Sequence, residues 1–235
     1  MIKFFRKIRY SLMEKNKTGK YLKYAIGEIV LVVIGILIAL QINNWNEKKI
    51  ANQQLDDFLI LMLDELSQDR AFFEKSLLRA DKGIYFLNAI SKKNYDQIAV
   101  EDFPGIVGRS FTNKKFGATY NNLKSEGKFN LIKDIVLKKR INNYYENNVS
   151  VYSDWATWNQ KFVAENIEGH VMYNLPIKEG FKTDAKYLIN EIENGNYLSM
   201  ANFLLTFMKD FNKMTMETIE LNNELVKLIE TELKK

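Results

Sequence analysis

The sequence predicts an all-α protein with an N-terminal amphipathic helix, one transmembrane helix and an elongated antiparallel helical bundle. The first and last helices of this bundle are predicted to be long. Only two prolines and eleven glycines occur in 235 residues, so few residues interrupt helices. Apolar residues recur at spacings of three and four along most of the chain, which is the period of a helix with one buried face. An apolar run of 18 residues predicts the transmembrane helix.

Composition and charge exclude several classes of function. Hydrophobic residues make up 46% of the chain, which is enough to bury a sizeable core. The chain has no cysteine, which excludes disulfides, thiol catalysis and cysteine-based metal sites. Residues 1–24 hold eight Lys/Arg and one Glu, whereas the remaining chain holds 26 Lys/Arg and 28 Asp/Glu. The positive charge therefore belongs to a short segment, and we expect no nucleic-acid binding, because that needs a basic patch on the folded domain.

Residues 1–24 are predicted to be a cytoplasmic basic amphipathic segment. Apolar residues recur at helical spacing in its first half, and the basic residues lie mostly off that stripe. Such a helix is suited to lie on the anionic inner leaflet of a membrane. The residues of this segment that we expect to contact the membrane surface are Lys3, Phe5, Arg6, Lys7 and Arg9. A disordered, positively charged anchor is the alternative.

Residues 25–44 are predicted to form the transmembrane helix. The 21 residue steps from Tyr24 to Trp45 cover about 31 Å in a helix, close to the roughly 30 Å of a hydrocarbon core. Tyr24 and Trp45 stand where aromatic side chains contact the two membrane surfaces. A buried core helix and a cleaved signal peptide are the alternatives. The adjacent basic segment disfavours the first, and the lack of an A-x-A-like site after the run disfavours the second.

The positive-inside rule gives the predicted orientation and location. It places the N-terminus in the cytoplasm and residues 45–235, as a helical-bundle domain, in the periplasm. The expected location is therefore the inner membrane of a bacterium.

One carboxylate, Glu28, lies within the apolar run. Helical spacing places it on one face with Val32, Gly35 and Ala39. Gly35 and Ala39 form a small-xxx-small pair, which lets a second helix approach closely. We expect this face to be a transmembrane helix–helix interface. The alternative is that Glu28 extends to the membrane surface without a partner.

The N-terminal segment and the apolar run also resemble a known family. The stretches "MIKFFRKIR" and "KYAIGEIVLVVIGILIALQINNWNE" are similar to the opening of an uncharacterised Bacteroidota family of single-span membrane proteins, classed as a domain of unknown function. A second block, "ATYNNLKSEGKFNLIKD" followed by "INNYY", resembles the central segment of that family. The resemblance implies an inner-membrane protein with a helical periplasmic domain. It implies no activity, substrate or catalytic residue.

The apolar pattern predicts the helices of the bundle in order. The transmembrane helix continues to about Ser91, and residues 91–110 form a crossover loop with room for a short helix. Thr119 is predicted to cap a short helix through Leu123, and Gly127 to end it. Further helices are predicted over residues 129–145 and 151–162, with a loop over residues 168–180. The last helix, of roughly 35 residues, carries a heptad stripe at Met200, Leu204, Phe207, Phe211, Met214, Thr218, Leu221, Leu225 and Leu228.

Few residues of the predicted bundle suggest chemistry. Glu65 and Asp69 lie one helical turn apart, a spacing that suits a cation, but without histidine partners a solvated face is the better interpretation. His170 is the only histidine and is expected on a surface loop. An aromatic cluster is better explained by core packing than by a ligand pocket; its members are Tyr144, Tyr145, Tyr152, Trp155 and Trp158. No phosphate-binding or nucleophile motif is present, so we expect no enzyme, cofactor or metal.

Three hypotheses of function follow. The first is a membrane-anchored helical scaffold that associates with itself or with another membrane protein, alongside its contact with the lipid bilayer. The second is a ligand-sensing domain that signals through a partner, for which the sequence offers no specific ligand site. The third is an ion- or force-coupled accessory subunit that uses Glu28.

Overall fold

The computed structural model of the protein describes Arg6, Tyr10 and residues 18–97, 110–179 and 183–234. Every regular element in these ranges is helical, which confirms the all-α class and the long first and last helices. The α-helices are α1 Thr18–Ser91, α2 Ala118–Ser125, α3 Ile135–Asn143, α4 Ser150–Phe162, α5 Gly169–Asn174, α6 Ala185–Asn194 and α7 Tyr197–Glu232. Short 3-10 helices lie at Tyr95–Gln97 and Lys128–Leu131.

The chain forms two units, residues 1–54 and 55–235. In the first unit the structure describes the N-terminal part of α1; the amphipathic helix predicted near the N-terminus lies outside the described residues, apart from Arg6 and Tyr10. The second unit contains the rest of α1 and helices α2 to α7. The predicted boundary between residues 44 and 45 concerns the membrane edge, and it stays a prediction.

Within the second unit, α1 and α7 pack against each other in antiparallel directions. The side-chain amide of Asn222 donates to the backbone oxygen of Leu66 at 3.0 Å, and that of Asn212 donates to Asp81 at 2.8 Å. The buried seam of α1 alternates spacings of four and three at Leu55, Leu59, Met62, Leu66, Asp69, Phe73, Ser76, Ala80, Gly83, Leu87 and Ile90. The seam of α7 does the same at Tyr197, Ala201, Leu204, Met208, Phe211, Thr215, Thr218, Asn222, Leu225 and Ile229.

The predicted stripe of α7 is therefore only half right. Its members Leu204, Phe211, Thr218 and Leu225 are buried, but Met200, Phe207, Met214, Leu221 and Leu228 are only partly buried. The buried seam includes Thr215 and Asn222. These residues are polar, so the apolar pattern does not indicate that they are buried. These polar side chains are buried because they are hydrogen-bonded: Thr215 donates to the backbone oxygen of Phe211 at 2.8 Å, and Asn222 bonds α1.

The start of α2 also differs from the prediction. Thr119 lies inside the helix, and Gly117 precedes it in the left-handed conformation, with φ of 70°. The backbone N–H of Thr119 donates to Oε1 of Glu65 at 2.9 Å, so a carboxylate of α1 satisfies a donor in the first turn of α2. Gly127 ends this region as predicted, with φ of 69° after the last turn.

Helices α3, α4 and α5 follow one another without a break. Two π-helical turns, Tyr144–Val149 and Val163–Glu168, join them. The helix predicted from residue 129 begins at Ile135 instead, where the carboxylate of Asp134 accepts from Val136 N at 2.8 Å. The loop predicted over residues 168–180 is wrong for Gly169–Asn174, which is helical. Each π turn has a wider period than an α-helix and so shifts the apolar pattern that the predictions followed.

The buried position of Asn222 in the seam predicts that removing its side chain destabilises the protein. Asn222→Ala removes two buried hydrogen bonds and opens a cavity, and should lower the free energy of unfolding by about 1–3 kcal/mol. Chemical unfolding followed by circular dichroism measures the change. The matched control is Asn223→Ala on the same helix, which is partly exposed and should change stability by less than about 0.5 kcal/mol. Equal effects of the two variants would contradict the buried seam.

Candidate functional site

The apolar run of α1 is the first candidate site. Among the described residues, this is one helix long and apolar enough to cross a membrane; its most apolar 18-residue window has a mean hydropathy of 2.6 and no buried residue. Tyr24 and Trp45, predicted to contact the membrane surfaces, are 52% and 64% exposed. The ammonium of Lys49 lies 5.8 Å from the centre of the Trp45 ring, and this cation–π contact orients the indole.

The predicted transmembrane interface lies on this exposed helix. Val32 is 57% exposed and Ala39 is also exposed, whereas Glu28 is partly buried. A Cβ atom built on Gly35 would have no neighbour within 4 Å in the described part of the chain. The face therefore has room for a second helix. Of the other predicted membrane contacts, Arg6 is exposed, and the remaining four, Lys3, Phe5, Lys7 and Arg9, lie outside the described residues.

The second candidate is a buried group of polar side chains, which we name the Asp69 cluster. It consists of Glu65, Asp69, Lys114, Tyr144, Tyr145 and Asn222. Asp69 is only 2% exposed, so the expectation of a solvated face is wrong for this residue. Its carboxylate accepts from Lys114 Nζ at 2.6 Å and from the Tyr144 hydroxyl at 3.3 Å. Asn222 of α7 donates to the same hydroxyl at 2.9 Å. Because Tyr144 begins the π turn between α3 and α4, the cluster links α1, α7 and this turn.

The charge of Asp69 is balanced by a lysine of the same chain. Burial raises the pKa of Asp69, and the hydrogen bond and charge of Lys114 oppose that rise. Burial and the charge of Asp69 raise the pKa of both Tyr144 and Tyr145, so both remain protonated. The spacing of Glu65 and Asp69 suits a cation, and the cation that contacts Asp69 is the ammonium of Lys114. This ammonium also lies 5.0 Å from the centre of the Phe116 ring. No group of three or more metal-ligating side chains occurs in the described ranges.

Three buried atoms of the cluster have no hydrogen-bond partner among the described residues. They are Oε2 of Glu65, the hydroxyl oxygen of Tyr145 and Oδ1 of Asn222. Two of these are acceptors, and the third donates and accepts. Polar groups of this kind are the usual partners of buried water in proteins.

The cluster and three side chains of α4 fix a segment without regular secondary structure, residues 110–117, on the bundle. Lys114 bonds α1 from this segment, while Asn159 of α4 accepts from Phe111 N at 2.9 Å. Gln160 donates to Phe111 O at 2.7 Å, and the hydroxyl of Tyr152 donates to Thr112 O at 3.2 Å. Side chains thus replace the backbone partners that a strand or helix would supply. This arrangement clamps α1 and α4 together.

The aromatic cluster is mainly a packing feature, as predicted. Tyr144, Tyr145 and Tyr152 are buried, and the Tyr152 hydroxyl forms a 2.9 Å hydrogen bond with Ser76 of α1. Trp155 and Trp158 differ, because they are 37% and 43% exposed. Beside Tyr145, a cleft of about 510 Å³ lies between residues 113–121 and 145–153.

His170 does not lie on a surface loop. It belongs to α5, and its Nε2 is 2.7 Å from Oε1 of Glu191 in α6. Both side chains are only 19% exposed. The prediction of a surface histidine failed because the helix continues through the glycine that precedes it. The pair has a structural role that joins two helices.

Comparison with known families identifies the chain. The family of unknown function DUF6090 matches residues 28–153, more than half of the protein. The protein belongs to this family. The DUF6090 match includes the Glu28 face of α1 and five members of the Asp69 cluster, while the sixth, Asn222, lies beyond it. Neither the curated proteins nor the solved structures contain a significant match to the chain.

The Asp69 cluster predicts how stability depends on pH. Because the pKa of Asp69 is raised in the folded state, folding takes up a proton at pH values between its ordinary 3.8 and the raised value. As the pH falls through that window, the wild type should gain stability relative to Asp69→Asn, which cannot titrate. Thermal unfolding of both proteins at a series of pH values measures the difference. Asp57→Asn, an exposed position on the same helix, serves as the control. If the wild type instead loses stability relative to Asp69→Asn at acidic pH, Lys114 lowers the pKa of Asp69 by more than burial raises it.

Proposed function

We propose that the protein is a membrane-anchored helical scaffold of the bacterial envelope that associates with itself or holds a partner. The observation that carries the proposal is that no residue of the apolar window in α1 is buried in the described part of the chain. The core helix of a soluble protein is covered by its own chain, because apolar surface in water costs about 25 cal/mol per Å². A bilayer covers the run without any protein contact, and the distance from Tyr24 to Trp45 suits its thickness.

The proposed orientation follows from the distribution of charge. Eight of the 34 Lys/Arg residues lie in the first 24 positions, which supports a cytoplasmic N-terminus. The helical domain, residues 45–235, then lies in the periplasm. The resemblance to single-span proteins of Bacteroidota supports the inner membrane of such a bacterium as the location.

The scaffold role is supported by how the polar side chains are used. Lys114 holds Asp69, His170 contacts Glu191, and Asn212 bonds Asp81. Each of these pairs joins separate parts of the helical domain. The polar groups that first suggested a cation site or a surface histidine therefore contribute to holding helices together, and the face of Glu28, Val32, Gly35 and Ala39 offers a surface for a partner.

Membrane insertion and orientation are tested together in cells. The protein should stay with the membrane after alkaline carbonate extraction, and a reporter active only in the periplasm should be active when fused after Lys235. Replacing Lys3, Arg6, Lys7 and Arg9 with Gln should reduce the fraction in the correct orientation, because the positive-inside signal is weakened. Release by carbonate, or an active reporter at the N-terminus instead, would contradict the proposal.

Association through the membrane-spanning helix is tested with single cysteines, since the chain has none of its own. Gly35→Cys should form a disulfide dimer in the membrane, and Leu37→Cys, on another face of the helix, should not. Gly35→Leu should reduce association, because close backbone approach is worth roughly 1–2 kcal/mol in such pairs. Equal crosslinking at the two positions would show that the helix has no preferred face. Glu28→Gln distinguishes the ion-coupled alternative: assembly should weaken only modestly, and loss of ion-dependent activity with assembly intact would favour that alternative.

A further inference from the structure

Helices α4 and α7 together present a patch of exposed aromatic side chains. We name it the aromatic patch; it consists of one valine and five aromatic residues, of which Phe162 and Phe207 are partly buried. Its members are Val151, Trp155, Trp158, Phe162, Phe203 and Phe207. Trp155, Trp158 and Phe203 are 37%, 43% and 51% exposed. Large exposed aromatic groups of this kind are enriched in protein interfaces and depleted elsewhere on protein surfaces.

The rings of the patch hold one another in place. Trp155 stacks on Phe207 with ring centres 5.4 Å apart, and Trp158 lies 4.9 Å from the same ring. Phe162 and Phe203 complete the row with ring centres 5.1 Å apart. Because these contacts already restrict the side chains, docking on the patch costs little conformational entropy. The patch therefore has the properties of an interface core before any partner arrives.

The charges beside the patch do not exclude a second copy. Asp154 and Lys161 of α4 and Glu165 of the following π turn lie at helical spacing from Trp158, and all three are exposed. Lys161 and Glu165 already pair at 3.8 Å. A surface whose charges all had the same sign would repel the same surface of a second copy. The residues beside the patch carry both positive and negative charges.

We propose that the aromatic patch docks on the aromatic patch of a second copy of this chain. The inference rests on the proposed function, because two single-span chains of the same orientation are related by a symmetry axis along the membrane normal. Identical residues of the two copies then lie at the same distance from the membrane. An interface on a two-fold axis brings together the same surface of both copies. For an unrelated partner, the membrane anchor does not place a matching surface at the distance of the patch.

The size of the patch is consistent with an interface centre. Its six side chains expose roughly 400–500 Å², about half of the ~800 Å² that each partner buries in a standard interface. The surrounding polar side chains would supply the remainder. Anchoring in one membrane raises the effective concentration of the two copies, so a contact of this size is sufficient for association.

The test uses the full-length chain in liposomes and two single-cysteine variants. Phe203→Cys and Met216→Cys lie on the same helix and replace side chains that are 51% and 50% exposed, but they occupy different faces. Under mild oxidation, Phe203→Cys should give at least ten-fold more disulfide dimer than Met216→Cys. Adding Trp158→Glu to Phe203→Cys should reduce that yield at least five-fold, and circular dichroism should show that the helical content is retained.

Three outcomes overturn the inference, and they differ from failure of the proposed function. Equal yields at the two positions would show that the patch does not meet itself. Crosslinking through Gly35→Cys without crosslinking through Phe203→Cys would reject the patch and leave the anchored scaffold intact. A cysteine at position 203 that is protected from aqueous thiol reagents in cells, yet forms no dimer, would assign the patch to a different protein. Carbonate release of the chain would reject the membrane anchor itself.

Discussion

The structure depends on one constraint: no residue in the most apolar window of α1 is buried by the described part of the chain. Side chains such as Leu31, Ile36 and Leu40 are all more than half exposed. A protein with 46% hydrophobic residues has enough apolar surface to bury such a run against itself, yet the other helices pack on α1 from Leu55 onward. The same helix therefore carries two kinds of surface, one suited to lipid and one suited to a protein core.

The second kind of surface is specified by polar residues as much as by apolar ones. An apolar seam of α1 and α7 alone would permit several registers, since leucine packs well at many positions. Asn222 contacts Leu66 and Tyr144, and Asn212 contacts Asp81, so only one antiparallel register satisfies these groups. The Asp69–Lys114 pair attaches residues 110–117 to the same core. The buried polar contacts therefore favour one packing arrangement of the helical domain.

The sequence predicted the helical class, the end of α1 at Ser91, the length of α7 and the position of Gly127. These follow from periodicity and from glycine, which act locally. It did not predict that Asp69, Thr215 and Asn222 are buried, because burial of a polar group depends on partners far away in the chain. It predicted α4 to within one residue, but it began the preceding helix at residue 129 instead of Ile135 and missed the helix Gly169–Asn174, which follows a π turn. The Glu28 face stays a prediction from helical spacing, whereas the exposure of Trp155 and Trp158 became visible only in the packed structure.

The central claim, that the apolar run of α1 is covered by lipid, is tested most directly by its solvent exposure in a bilayer. Spin labels at single cysteines replacing Ile26, Leu37, Ile42, Ile50 and Gln53 report access to oxygen, which concentrates in lipid, and to a water-soluble nickel complex. The account predicts that positions 26, 37 and 42 favour oxygen, with the greatest depth at 37 among these positions, and that positions 50 and 53, beyond Trp45, favour the nickel complex. Equal access to the nickel complex at all five positions, or access to neither reagent along the run, would contradict it.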